Sequence, residues 1–229
     1  MSKFKWAEEA EKLWNERSGF WNSRSREMWE TGSRKDIVPF FQKYVQEGAT
    51  ICDLGCGDGY GSLKFAQAGF SVTGVDVSDD MISKAKELNK GTSANFYKGD
   101  IAHLPFLDQQ FDAIVAINSL EWTESPFEVL SEMKRMVKEN GIACVGILGP
   151  TATPRVNSYR RLYGEKVVCN TMMPWEFEQL ALENGWKKED ELGVYKRETK
   201  QLPKESLSNQ MKQALTFMTV FILRNENKI

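Results

Sequence analysis

Between Asp53 and Gly61 the chain reads Asp-Leu-Gly-Cys-Gly-Asp-Gly-Tyr-Gly, four glycines in nine residues. Glycine at this density lets the backbone turn tightly and lets a ligand approach the main chain, and a helix starting behind it offers unpaired amides. The dinucleotide pattern Gly-x-Gly-x-x-Gly fails in both registers, because the sixth position is Tyr60 counted from Gly55 and Ser62 counted from Gly57. An acid, Asp53, precedes the glycines. A second, Asp76, ends the next apolar run, where a carboxylate can accept from both hydroxyls of a ribose; a ribose of NAD would satisfy it equally, and as plain structure it would be a helix-start carboxylate. A third, Asp100 in Gly99-Asp100-Ile101, is placed to accept from an exocyclic amine.

Other chemistries are excluded by what is missing. His103 is the only histidine, which removes histidine pairs and multi-histidine metal sites. Cys52, Cys56, Cys144 and Cys169 have no paired spacing, so neither a zinc site nor a disulfide framework is expected, and Cys56 reads as a small space-filler rather than a nucleophile. Thirty Lys and Arg against 32 Asp and Glu give a net charge of -2, with no global pull toward nucleic acid or anionic lipid. No apolar run is long enough to span a bilayer, and Met1 to Trp14 is charged without an apolar signal core; the expected location is cytoplasmic, with no membrane partner.

The acids fall at regular places because short β-branched runs alternate with amphipathic stretches, the pattern of a βαβ-built parallel sheet. Strands are expected at 50–54, 70–76, 95–98, 111–117 and 142–148, with helices at 59–68, from Ser78 through Leu88, and from Ser125-Pro126 to Asn140-Gly141. After Gly149-Pro150 the rhythm breaks. A helix from Pro174 to Glu183, a weak strand around Val194 to Arg197 and a long strand from Leu215 to Leu223 follow. Residues 3–45 are helical in pattern and carry Trp6, Trp14, Phe20, Trp21 and Trp29, which read first as packing.

Taken together, Asp53 to Gly59, Val75-Asp76, Gly99-Asp100-Ile101, His103-Leu104-Pro105-Phe106 and Phe111 to Val115 resemble the class I S-adenosylmethionine-dependent methyltransferases, over about residues 48–150. The resemblance implies an α/β, Rossmann-like fold: a mostly parallel seven-stranded sheet, helices on both faces, an antiparallel last strand beside the fifth, and a helical N-terminal lid. It implies a cap over residues 1–46 and a methyltransferase domain over 47–229, with 150–173 an acceptor-site excursion. It also implies S-adenosylmethionine as cofactor, with Asp53, Gly55, Cys56 and Gly57 facing the methionyl part. Asp76 would meet the ribose, Asp100 and Ile101 the adenine, and Asn118 would complete the methionyl site; Val77 and Met81 belong to the same cofactor-binding set.

The implied reaction is methyl transfer to a small-molecule acceptor by a monomer or homodimer. Since a sulfonium is an activated leaving group, alignment and exclusion of water are the main requirements and no catalytic residue is assigned. Glu121, Glu124 and Tyr159 are the available bases. Trp21, Trp29, Trp122 and Tyr159 are candidates to line the acceptor pocket under the N-terminal helices and the segment from Thr151 to Met173, and Arg155, Arg160 and Arg161 could meet an anionic acceptor. His103 is expected in a turn. Alternatives are a methyltransferase of RNA or protein, a non-catalytic S-adenosylmethionine-binding protein of the same fold, and an NAD-dependent oxidoreductase, which the failed glycine spacing disfavours.

Overall fold

The computed structural model describes residues 4–226, so the helical expectation at Lys3 lies outside the described residues. Seven strands form one sheet: β1 (Thr50–Leu54), β2 (Ser71–Asp76), β3 (Asn95–Lys98), β4 (Phe111–Ile117), β5 (Val137–Leu148), β6 (Trp186–Tyr195) and β7 (Thr216–Asn225). Their order is β3-β2-β1-β4-β5-β7-β6. The first five are parallel, and β7 enters antiparallel between β5 and β6. Strand order therefore reverses at β1 and β4, and ligand crevices of open α/β sheets lie at the carboxyl ends of such strands.

Alternation along each strand feeds two cores. Cys52, Leu54, Ile114, Ala116, Val145 and Phe221 face one side, where α5 (Pro126–Met136) and α6 (Pro174–Glu183) pack through Val129, Leu130, Met133, Phe177 and Ala181. Ile51, Val115, Cys144, Val220 and Ile222 face the other, against Trp29, the short α2 (Ile37–Phe41) and Phe65 of α3 (Tyr60–Gln67). Burial on both faces explains why β4 reads as a continuous apolar run. The α4 helix (Asp79–Leu88) starts as its sequence predicts, with Ser78 Oγ accepting from Met81 N at 3.1 Å and Asp79 and Asp80 in the first turn.

Two motifs of the middle segment hold the sheet together rather than a ligand. Asp112 accepts from Thr50 N and Thr50 Oγ1 at 2.8 and 2.7 Å, locking β4 to β1. The Leu104-Pro105-Phe106 turn is clamped by Arg135, which donates to Phe106 O and Leu104 O, while Phe106 meets Phe111 edge-on at 5.3 Å.

Three boundaries differ from expectation. The helix starting at Pro126 ends at Met136, not at Asn140-Gly141, because Val137 already pairs with Phe111; residues 138–141 bulge out before Ile142 resumes the ladder opposite Ala113. The weak strand expected around Val194 to Arg197 is β6, beginning at Trp186 and ending at Tyr195, with Arg197 in the short helix Arg197–Lys200. As an edge strand β6 tolerates the charged run Lys187 to Glu191, which hides it from hydrophobic periodicity. The terminal strand runs two residues further than expected, to Asn225.

Before the sheet, α1 (Trp6–Glu30) is 25 residues long and crosses the sheet's carboxyl edge. It packs through Ala10, Leu13 and Trp14 on Trp122 and Leu148 and through Trp29 on Phe65, and side-chain bonds add to this. Trp6 Nε1 donates to Trp122 O at 2.7 Å, Ser78 Oγ bonds Asn15 Oδ1 at 2.6 Å, Lys84 Nζ bonds Ser18 Oγ at 2.8 Å, and Lys98 pairs with Glu11 at 2.7 Å. Asn22 and Ser25 reach Asp58 at 3.0 and 2.8 Å. The polypeptide from 151 to 173 contains the 3-10 helix Thr153–Tyr163. Among the described residues no helix is long and apolar enough to cross a membrane.

Candidate functional site

The glycine loop is shaped by its neighbours. Gly55 has φ of 72°, and a Cβ there would collide with Ser119 Cβ, so any side chain is excluded twice over. The loop amides are already engaged: Gly55 N and Cys56 N donate to Val75 O at 2.8 and 3.0 Å and Gly57 N to Asp76 Oδ2 at 2.9 Å, while Asp76 Oδ1 accepts from Ser78 N at 2.9 Å and Asp53 Oδ2 from Ser62 Oγ at 2.6 Å. Both carboxylates are buried. Burial pushes Asp53 up to about 6 against the hydrogen bond from Ser62 and the charge of Arg34, and pushes Asp76 up to about 6 against the amides of Ser78, Gly57 and Val77.

These groups open into a cavity of about 280 Å³ between the sheet edge and α1. Asp53, Gly55, Cys56, Gly57, Asp76, Val77, Met81, Asp100, Ile101 and Asn118 all line it, so the structure brings the whole predicted set to one wall. Asp100 is exposed, and its Oδ1 accepts from Ala102 N at 3.0 Å. Cys56 is buried among Ile82, Ala85 and Phe96, and burial drives its thiol well above the ordinary range, which removes it as a nucleophile. Asn118 is held at φ 56° beside the cavity; its N–H donates to Gly146 O and its own carbonyl accepts from Trp122 Nε1 at 2.8 Å. Asparagine is among the few non-glycine residues that adopt this left-handed conformation readily.

The opposite wall is aromatic. Trp6, Trp14, Trp21 and Trp29 from α1 face the cavity, joined by Trp122, Leu148, Pro154 and Phe217. Trp14 packs edge-on against Trp122 at 5.3 Å, and Trp29 sits so close to Gly61 that a Cβ there would strike its ring. Two polar atoms on the lining are buried without a partner, Trp21 Nε1 and Ser119 Oγ. They are hydrogen-bonding capacity aimed at whatever fills the space.

Several sequence candidates are placed elsewhere. Glu121 is buried, Oε1 accepts from Leu148 N at 2.6 Å and burial raises its pKa, but it does not line the cavity. Tyr159 is exposed and shares a hydrogen bond with Tyr163 at 2.8 Å, so it neither lines the pocket nor serves as a base there. Of the segment 151–173 only Pro154 reaches the cavity; the cover is α1. Arg155 is consumed by the carbonyls of Leu148, Gly149, Thr171 and Met172, Arg160 pairs with Glu165 and Arg161 bonds Ser158, and none of the three lines the cavity. Glu124 stays at the rim, as does His103, exposed in a turn with its N–H on Asp100 O. Sequence reasoning missed Arg34, Ser25 and Asp58 on the lining; only the placement of α1 reveals them.

Comparisons with known proteins bear on the family and the fold. Residues 52–145 match the family described as Methyltransferase domain. The chain is 28% identical over 177 residues to the biotin biosynthesis bifunctional protein BioHC of Teredinibacter turnerae, covering 72% of this chain and 30% of that protein. It is 35% identical over 92 residues to a malonyl-[acyl-carrier protein] O-methyltransferase of Hamiltonella defensa, covering 40% of this chain and 35% of that one. The chain thus spans about a third of the length of these curated relatives. In fold it resembles a chain from the complex of the Haloferax volcanii Trm112 methyltransferase activator with a methyltransferase, at a TM-score of 0.69 and 18% identity, covering 94% of this chain and 98% of that chain.

Proposed function

We propose that this chain, which carries a class I S-adenosylmethionine-dependent methyltransferase domain, binds S-adenosylmethionine along the glycine-loop wall and moves its methyl group to a small, largely apolar acceptor held under α1. The observation that carries the reading is the division of one cavity into two walls: acids and loop glycines at the strand ends, tryptophans opposite. The cofactor fits the donors and acceptors present. Asp76 would hold the ribose hydroxyls, Asp100 and Ile101 the adenine, and Asp53, Gly55 to Gly57, Asn118 and Ser119 the methionyl part, with Val77 and Met81 packing beside the ribose. On this reading residues 1–46 act as the cap and 47–229 as the methyltransferase domain.

When bound, the cofactor supplies a methyl group on a sulfonium, already activated for transfer. The chain's own contribution is alignment and dryness: Trp14, Trp21 and Trp122 exclude water and fix the acceptor's plane, and the cation–π field of the rings tolerates a nearby positive charge. No side chain is required to carry the methyl. If the acceptor must lose a proton, Glu124 lines the cavity and is available to take it, whereas Glu121 does not line it.

S-adenosylmethionine and S-adenosylhomocysteine should both raise the melting temperature, and NAD should not. A ligand at about a hundred times its Kd adds about 2.7 kcal/mol, which melting resolves easily. No shift with either adenosyl compound at millimolar concentration overturns the cofactor reading.

A further inference from the structure

Trp14, Trp21 and Trp122 meet at the cavity as a corner rather than a stack. Trp14 stands at 78° to Trp122 with ring centres 5.3 Å apart, and at 53° to Trp21 at 6.3 Å. Backbone carbonyls fix the arrangement: Trp122 Nε1 donates to Asn118 O at 2.8 Å, and Trp6 Nε1 to Trp122 O at 2.7 Å. With those N–H groups spent on the protein, Trp6 and Trp122 offer the cavity ring surface and no donor. Leucine or phenylalanine would close an apolar space as well; what indole adds is the aromatic face that attracts a cation best.

The acids on the lining divide into two groups. Asp53, Asp58, Asp76 and Asp100 each accept hydrogen bonds from the protein. The carboxylates of Glu124 and Glu128 accept none and have no ion-pair partner among the described residues, although both line the cavity. They sit beside the aromatic corner because Glu124 follows the 3-10 turn Leu120–Trp122 and Glu128 lies in the first turn of α5, its N–H held by Ser125 Oγ at 3.3 Å. Asn170 Nδ2 pins that turn by donating to Leu120 O and Thr123 O at 2.7 and 2.9 Å. The only Lys or Arg on the lining, Arg34, lies over the ring of Trp29, which stands about 22 Å along α1 from Trp14 at 1.5 Å per residue. Indole faces beside unpaired carboxylates suit a cation with an apolar body, whereas an anionic acceptor would be repelled at the mouth.

Resting on the methyltransferase reading above, we infer that the acceptor is an amine with an apolar body, drawn in as its ammonium by Glu124, Glu128 and the Trp14–Trp122 corner and methylated on nitrogen. The ammonium gives one proton to Glu124 or to solvent. Its freed lone pair then forms the N–C bond as the C–S bond breaks with its electrons kept by sulfur, leaving a methylated ammonium and neutral S-adenosylhomocysteine. The test titrates the full chain, saturated with S-adenosylhomocysteine, with phenethylamine, phenethyl alcohol and phenylacetate: one phenyl body that is cationic, neutral or anionic at neutral pH. Phenethylamine should bind about tenfold tighter than the alcohol, and phenylacetate weakest. In the double variant Glu124→Gln, Glu128→Gln that preference should shrink to within about threefold while S-adenosylhomocysteine binds as before, which shows that the variant is folded. Trp14→Leu should weaken the amine more than the alcohol. Label passed from methyl-labelled cofactor into a metabolite extract should be retained on a cation exchanger. A wild type that binds the alcohol or phenylacetate as tightly as the amine, or none of the three at millimolar concentration, overturns the inference, as does a preference that the double variant keeps in full or label confined to neutral or anionic compounds. A chain that does not bind S-adenosylhomocysteine overturns the cofactor reading instead.

Discussion

Asp76 shows how one residue serves the fold and the site at opposite cost. Its two oxygens organise the loop through Gly57 N and Ser78 N, yet burial lifts its carboxyl to about 6, above the roughly 3.9 of an unfolded chain. A raised native pKa means that between about pH 4 and 6 the native state binds more protons than the unfolded one. Stability from this group therefore falls as pH rises through that window, and the penalty is complete above about 6. Asp76→Asn removes the charge and keeps one acceptor for the loop amides. The unfolding free energy of the variant relative to wild type should rise between pH 4 and pH 7 by an amount on the order of 1–3 kcal/mol, read from denaturant titrations at the two pH values, while S-adenosylhomocysteine binds more weakly by about 1.5–3 kcal/mol at pH 7. A difference that stays flat with pH would mean that the carboxylate is already solvated. The loop was readable for the same local reason that makes it rigid, since positive φ at Gly55 and acids at strand ends leave marks in the sequence. Arg34 left none, because a turn arginine becomes a site residue only through the direction in which a helix runs.

At the scale of elements, α1 is the part least explained by a hydrophobic core. Only Ala10, Ser18, Ser25 and Trp29 of its 25 residues are buried, and it is held by one small apolar cluster around Trp14 and Trp122 and by side-chain bonds to the loops it covers. An element fixed this way opens locally at less cost than global unfolding. Its amides should exchange hydrogen faster than those of β4, and S-adenosylhomocysteine should slow them. Asp58→Ala removes the acceptor for both Asn22 and Ser25, leaving a buried hydroxyl unpaired; it should speed exchange across α1 and cost roughly 1–2 kcal/mol in stability. Exchange in α1 as slow as in β4, or unchanged by the substitution, would show that the helix is not a separable cover. The helix itself was legible, but its tryptophans gave no stripe from which to tell packing from lining. In fact they do both: Trp29 packs on Phe65 and Gly61 and still borders the cavity. Of β6 only the end was legible, because Lys187, Lys188, Glu189, Asp190 and Glu191 alternate between the faces of an edge strand and are accommodated by ion pairs such as Lys188 with Glu178 and Glu189 with Arg224.

For the molecule as a whole, a fold shared at 18% identity leaves the acceptor open, and charge placement narrows it. Of the basic residues after Gly149, Arg155 caps carbonyls, Arg160 pairs with Glu165, Lys187 with Glu189 and Glu226, and Lys188 with Glu178 and Glu191, while the exposed Arg161 bonds only Ser158. The cavity meanwhile is lined by Asp53, Asp58, Asp76, Asp100, Glu124 and Glu128 against Arg34 alone. A nucleic acid would have to bring phosphates to an acidic rim, and affinity gained from released counterions needs free Lys and Arg, of which the cavity lining holds Arg34 alone. With methyl-labelled cofactor, label should therefore pass into a small-metabolite extract, most of all its apolar fraction, and not into total RNA, with little change between about 50 and 200 mM salt. Label that enters RNA and fades steeply over that salt range would replace the small-molecule acceptor with a phosphate-bearing one and require the Arg160 and Lys188 pairs to open on binding.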